Sequence, residues 1–102
     1  MSKFGMVVKF TAVPGERDAL VNILLEGAEA LGVVKECELY LVNLSNTDPD
    51  TFWVTEVWSH EEAHAASLTG DTVKASIQRA RPLIASIESM QTTPAGGKGL
   101  VF

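Results

Sequence analysis

The chain holds a single cysteine, Cys37, so it cannot form an internal disulfide or a cysteine-rich metal site. One free thiol suits a reducing compartment, and a cytoplasmic location is expected. Basic residues are scarce, with 8 Lys and Arg against 13 Asp and Glu, a net charge of -5. A nucleic-acid partner would want a basic face, and an anionic membrane would repel this one, so neither partner is expected. No apolar run approaches the roughly 20 residues that cross a bilayer. The opening stretch MSKFGMVVKF also lacks the apolar core and small-residue cleavage site of a secretory leader. There is no internal repeat. What remains is 102 residues, 46% hydrophobic and 21% charged, the profile of one ordinary globular domain. The only biased segment is the tail TTPAGGKGLVF. The expected organisation is a domain over 1–94 and a C-terminal tail over 95–102, whose Leu100, Val101 and Phe102 are apolar enough to add to a subunit contact.

Hydrophobic period orders the elements. KFGMVVKFTA alternates, with Phe4, Met6, Val8 and Phe10 on one face, and predicts a strand over 3–12 that Pro14 and Gly15 end. From Glu16 to Leu31 the spacing turns helical through Leu20, Leu24, Gly27 and Ala28, with Gly32 as the stop. ECELYLVNLS and TFWVTEVWS read as strands over 36–45 and 51–59, joined by the turn NTDPD. A short helix is expected from His60 to Leu68. A second, capped by Asp71, carries the stripe Val73, Ile77, Ala80 and Ile84 and ends near Arg81, because Pro82 cannot sit inside it. Residues 85–93 complete the set as a strand. The order β-α-β-β-α-β matches the ferredoxin-like split unit, an α+β fold with a four-stranded antiparallel sheet and helices on one face. Strand two sets Cys37, Leu39 and Leu41 against Tyr40, Val42 and Leu44, and strand three sets Trp53 and Val57 against Phe52, Val54 and Trp58. Both sheet faces are therefore partly apolar, and a second copy of the chain is the expected cover for the face the helices leave bare.

Residues 60 to 64, HEEAH, match the H-E-x-x-H pattern of zinc proteases. Against a metal reading stand the absence of a third histidine and the Ser59 to Glu62 spacing of a helix capping box. No metal is expected. His64 by itself is a candidate general base, since histidine is the side chain that titrates near neutral pH. The plain alternative is a surface histidine on an alanine-rich helix. Trp58 shares a strand face with Phe52, Val54 and Glu56, and can serve as an aromatic wall and indole N–H donor for a planar ligand, or simply as core. Glu56 lies in an apolar row and must be paired, protonated or near water; it is either a base or the partner of Lys9 or Arg81. Arg81 can hold a substrate anion or form a solvated helix edge. Tyr40 offers a pocket hydroxyl or a subunit contact, and Cys37 reads as inert core.

FWVTEVWSHEEAHAA resembles the antibiotic-biosynthesis monooxygenase family, in which an aromatic strand often ends in E-x-W, followed by a polar step, E-A and a helix. GERDALVNIL after the first strand fits the same family, and the resemblance covers most of Lys3 to Thr93. It implies a dimeric α+β barrel with a pocket between sheet and helices in each subunit. It also implies oxygenation of quinol-like or polyketide aromatics without metal or flavin, the substrate anion itself giving an electron to dioxygen. Many relatives carry H-x-x-x-x-H in and after the short helix; here those positions fall on Ser67 and Thr72, and Val54 stands where aromatic-polyketide oxygenases tend to have asparagine. The resulting expectation is a homodimeric, cofactor-independent monooxygenase for a small aromatic or quinol. Its catalytic residues would be His64 and Glu56, with Trp58, Arg81, Tyr40, Ser67 and Phe52 against the substrate. The alternative is a barrel that binds a small ligand, or serves a structural role, without turnover. An isomerase on the same barrel is a third reading.

Overall fold

The computed structural model describes residues 2–102. Its elements run β1 (Phe4–Ala12), α1 (Arg17–Ala30), β2 (Cys37–Leu44), β3 (Thr51–Trp58), α2 (Glu61–Ser67), α3 (Asp71–Ala80) and β4 (Ile84–Thr92). The strands form one antiparallel sheet in the order β2-β3-β1-β4, the ferredoxin-like α+β arrangement. Pro82 falls in a 3-10 turn, Arg81–Leu83, directly after α3, where the missing N–H and fixed φ do least harm.

Strand alternation delivers Phe4, Val8 and Ala12 of β1 and Phe52, Val54 and Trp58 of β3 to the helix side of the sheet. There Leu20, Val21 and Ile23 of α1 and Ala80 of α3 close a core in which Phe52 and Leu20 are wholly buried. The long loop before β3 is tied back to α1. Arg17 Nη1 donates to the carbonyls of Ser45, Asp48 and Thr51 at 3.4, 3.2 and 3.4 Å. Gly15 enters this corner at φ 83, a left-handed turn that a side chain would strain.

Four local details depart from the sequence-based expectations. Gly32 does not stop α1 in a left-handed conformation; the chain tightens instead into a 3-10 turn over Leu31–Val33. Ser59 does not cap α2. Its hydroxyl donates to Glu38 Oε2 at 2.9 Å, and the cap is His60, whose Nδ1 accepts the Ala63 N–H at 3.2 Å. Gly70 takes the cap position of α3, so Asp71 favours the helix start through charge alone. Lastly, a register shift between Cys37 and Leu39 pairs Cys37 with Trp58, which turns Cys37 to the side of Tyr40 and Val42 rather than that of Leu39 and Leu41.

The other face of the sheet has no helix. It exposes Leu41, Trp53 and Met90, and eight of the nine β4 residues are exposed. The tail folds back over one corner. A Cβ on Gly5 would collide with the Thr92 hydroxyl and crowd Pro94, and the Phe102 ring lies 5.4 Å from Lys3 Nζ. Lys3 in turn pairs with Glu38 at 2.6 Å. This hydrogen bond, followed by that from Ser59, holds the Glu38 carboxyl below its ordinary range.

Candidate functional site

A cavity of about 770 Å3 lies between the helices and the sheet, within the range of small-molecule sites. Its walls are mostly apolar: Ile23 and Leu24 from α1, Val73, Ile77 and Ala80 from α3, and Phe10, Trp58 and Ile84 from the sheet side. The polar side chains on the wall include Tyr40, Glu56, His64, Ser67, Thr72 and Ser76, with Tyr40 and Glu56 opposite one another on β2 and β3. Exposed charges also line the cavity, with Arg79 and Glu26 paired at 3.1 Å across α3 and α1, and Arg81.

The polar cluster is built by register. Glu56 sits on the helix side of the interior strand β3, with Tyr40 of β2 opposite on one flank and Met6 of β1 on the other. Its Oε1 accepts the indole N–H of Trp58 at 3.0 Å and lies 3.9 Å from His64 Nε2. Both side chains are largely buried, His64 at 16% and Glu56 at 12% exposure. Two aromatic rings fix the imidazole plane: Phe4, tilted at a centroid distance of 5.1 Å, and Trp58, edge-on at 5.5 Å. Burial chiefly, then the negative charge of Glu56, pushes the Tyr40 hydroxyl far above its ordinary value, so it stays a neutral donor at all physiological pH. The same two causes, in the same order, push the Cys37 thiol up.

Six of the seven side chains expected at a site, Tyr40, Glu56, Trp58, His64, Ser67 and Arg81, line this one cavity. Phe52 does not. It is fully buried beneath Phe10, stacked at 4.9 Å, and Phe10 takes the place on the wall. Two expected roles also change. The Trp58 N–H is engaged by Glu56, so Trp58 presents the cavity with a wall and no free donor. Glu56 pairs with neither Lys9, which approaches Glu88 at 3.8 Å, nor Arg81. The Ser67 hydroxyl donates to the His64 carbonyl at 2.6 Å, and Thr72 also reaches the cavity.

HEEAH loses its zinc-protease geometry because His60 is extended, at φ -160 and ψ 162, outside the helix that carries His64. Among the described residues, no group of three or more His, Cys, Asp and Glu side chains converges. No helix of the described residues is long and apolar enough to cross a membrane. Phe4 and the α1 wall were not anticipated as site residues. Phe4 lay in the alternating row of β1, but only pairing with Trp58 brings it to His64.

The antibiotic biosynthesis monooxygenase family matches residues 3–79. Among solved structures, a Chloroflexus aurantiacus protein provisionally assigned as an antibiotic biosynthesis monooxygenase is similar with a TM-score of 0.87 at 44% identity, over 96% of this chain and 98% of that one. SnoaB, a cofactor-independent oxygenase from Streptomyces nogalater studied as a point mutant, gives 0.83 at 13% identity over 96% and 98%. PA3566 from Pseudomonas aeruginosa gives 0.84 at 17% over 94% and 97%. At these lower identities the likeness is one of fold. No curated protein matches the chain.

Proposed function

From the premise that the chain belongs to the antibiotic biosynthesis monooxygenase family, we propose that it is a cofactor-independent monooxygenase acting on a small aromatic or quinol-type compound. The observation that carries this reading is the convergence, in one mostly apolar cavity, of a histidine held between two aromatic rings and a neutral tyrosine hydroxyl. An aromatic alcohol entering the cavity meets apolar walls that displace water, and His64 takes its proton. The electron-rich anion reacts with dioxygen. For a 1,4-diol the balance is diol plus O2 giving hydroxyquinone plus water: the O–O bond, two O–H bonds and one ring C–H break, one oxygen atom becomes the new hydroxyl on that ring carbon, and the other leaves as water. Tyr40 donates a hydrogen bond to the anion as charge builds. The fold is one on which SnoaB, a cofactor-independent oxygenase, is also built.

A second reading, a barrel that binds such a ligand without turnover, is favoured by Ser67 and Thr72 on the cavity wall, since neither can act as a base near neutral pH. Oxygen uptake with naphthalene-1,4-diol separates the two. Turnover above the spontaneous rate, dependent on oxygen and lowered by about two to four powers of ten in His64→Ala, supports the oxygenase. Binding without uptake supports the alternative. Full activity in His64→Ala removes the assignment of the base.

The active form proposed is a homodimer joined through the sheet face that carries Leu41, Trp53 and Met90, all exposed in the single chain. Light scattering should give twice the 11.0 kDa chain mass. A monomer mass at micromolar concentration would overturn this.

A further inference from the structure

The mechanism above gives Glu56 no task, yet a carboxylate facing the helices from an interior strand is costly and calls for one. Two candidates compete. Glu56 is either a second base or the group that sets the state of His64. Its surroundings decide against the base. Its Oε1 already accepts the Trp58 N–H at 3.0 Å, and the same atom faces His64 Nε2 at 3.9 Å. An acceptor aimed between an indole and an imidazole is placed to orient a ring.

We propose that Glu56 is a positioning residue: pinned by the Trp58 indole, it keeps the proton of neutral His64 on Nε2 and leaves Nδ1 as the proton acceptor of the site. The inference rests on His64 being the base of the proposed reaction, but it concerns the resting protein. A carboxylate beside one imidazole nitrogen favours the tautomer whose N–H points at it, because the reversed tautomer sets a lone pair against a negative charge. The 3.9 Å separation exceeds a hydrogen bond, so the bias in the resting protein is electrostatic, exerted by the carboxylate across this contact between two largely buried groups. When His64 takes the substrate proton, the substrate O–H bond breaks and an Nδ1–H bond forms. The imidazolium then keeps its Nε2–H toward the Glu56 charge, and the proton leaves later with the water produced. Phe4 and Trp58 pack against the ring, at centroid distances of 5.1 and 5.5 Å. Glu56 and Trp58 stand at positions i and i+2 of β3 and share a face, which lets the indole reach the carboxylate.

The chain has two histidines, and the second supplies the control. His60 accepts the Ala63 N–H on Nδ1 and is also Nε2-protonated when neutral, for a reason unconnected with Glu56. The test is nitrogen NMR of the ring nitrogens in uniformly labelled protein without substrate, at about pH 8 so that ordinary histidines are neutral. Tyr40 and Cys37, the titratable groups facing this row from β2, are both pushed up and remain uncharged there; the Glu26, Arg79 and Arg81 charges on the cavity wall are exposed. His64→Ala assigns the signals. The expected result is a pyrrole-like Nε2 and a pyridine-like Nδ1 for His64, with Glu56→Leu, which removes the acceptor, raising the Nδ1-protonated share of His64 while His60 stays unchanged. A wild-type His64 protonated on Nδ1 overturns the proposal whether or not the variant folds, and so does an unchanged His64 in a folded Glu56→Leu. With naphthalene-1,4-diol, Glu56→Leu should lower kcat by about two to four powers of ten with KM little altered, the pattern of a base that has lost the group orienting it. Absence of oxygen uptake by the wild type would sink the oxygenase reading alone, because the tautomer measurement stands without turnover.

Discussion

Trp58→Phe tests the geometry of the cluster independently of any activity. Trp58 is 1% exposed, and its N–H is the donor that satisfies Glu56 Oε1 at 3.0 Å. Phenylalanine keeps a ring on the wall and loses two things. The first is volume, roughly 40 Å3, which at about 24 cal/mol per Å3 of unfilled space costs about 1 kcal/mol. The second is the donor, which leaves a largely buried carboxylate oxygen unsatisfied at a cost of about 1–3 kcal/mol. The expected loss is therefore about 2–4 kcal/mol, a large part of the roughly 5–15 kcal/mol that holds a domain folded. Urea unfolding followed by circular dichroism measures it, at fixed protein concentration because association adds stability by mass action. The two terms separate in a double-mutant cycle. In a Glu56→Leu background the acceptor is gone, so Trp58→Phe should cost less by about 1 kcal/mol or more. A loss of under about 1 kcal/mol in the single variant, or strict additivity in the cycle, would refute the account of Trp58 as the donor that makes Glu56 tolerable.

Three further outcomes follow from the same geometry. Cys37, pushed up by burial and then by Glu56, should react with iodoacetamide more slowly than a free thiol at pH 8, and Glu56→Gln should speed it; equal rates in the two proteins would show that the charge does not reach the thiol. Tyr40 is the only tyrosine, and its raised hydroxyl contributes stability that is complete below the unfolded phenol value of about 10 and is lost as pH rises above it toward the folded value. Tyrosinate absorbance should therefore appear only together with alkaline unfolding, and a reversible titration near the ordinary value in folded protein would contradict this. His60→Ala removes the cap of α2 and should lower stability by about 1 kcal/mol while leaving quinol binding to the cavity unchanged; altered binding would mean that His60 belongs to the site after all.

The strand and helix order was legible because each element carries its own period. The alternation of Phe4, Met6, Val8 and Phe10 and the stripe of Val73, Ile77 and Ala80 need no knowledge of neighbours, and Pro82 announces its own turn. Both sheet faces of β3 could likewise be named from sequence, since i and i+2 share a side, and that is how Glu56 and Trp58 were put together. Three matters lay beyond this local grammar. The shift between Cys37 and Leu39 moves Cys37 across the sheet, and no periodicity encodes a bulge. The cap of α2 passed from Ser59 to His60 because Glu38, a residue on another strand, draws the Ser59 hydroxyl away. Above all, composition named His64 and Glu56 separately but could not say that they face one another, nor that Phe4 and not Phe52 stands at the imidazole. Those facts depend on the register of β1 against β3 and on where α2 is laid down. Register and placement are set by packing between segments distant in sequence, so the chain determined the parts by itself and the tertiary structure alone decided which of them meet.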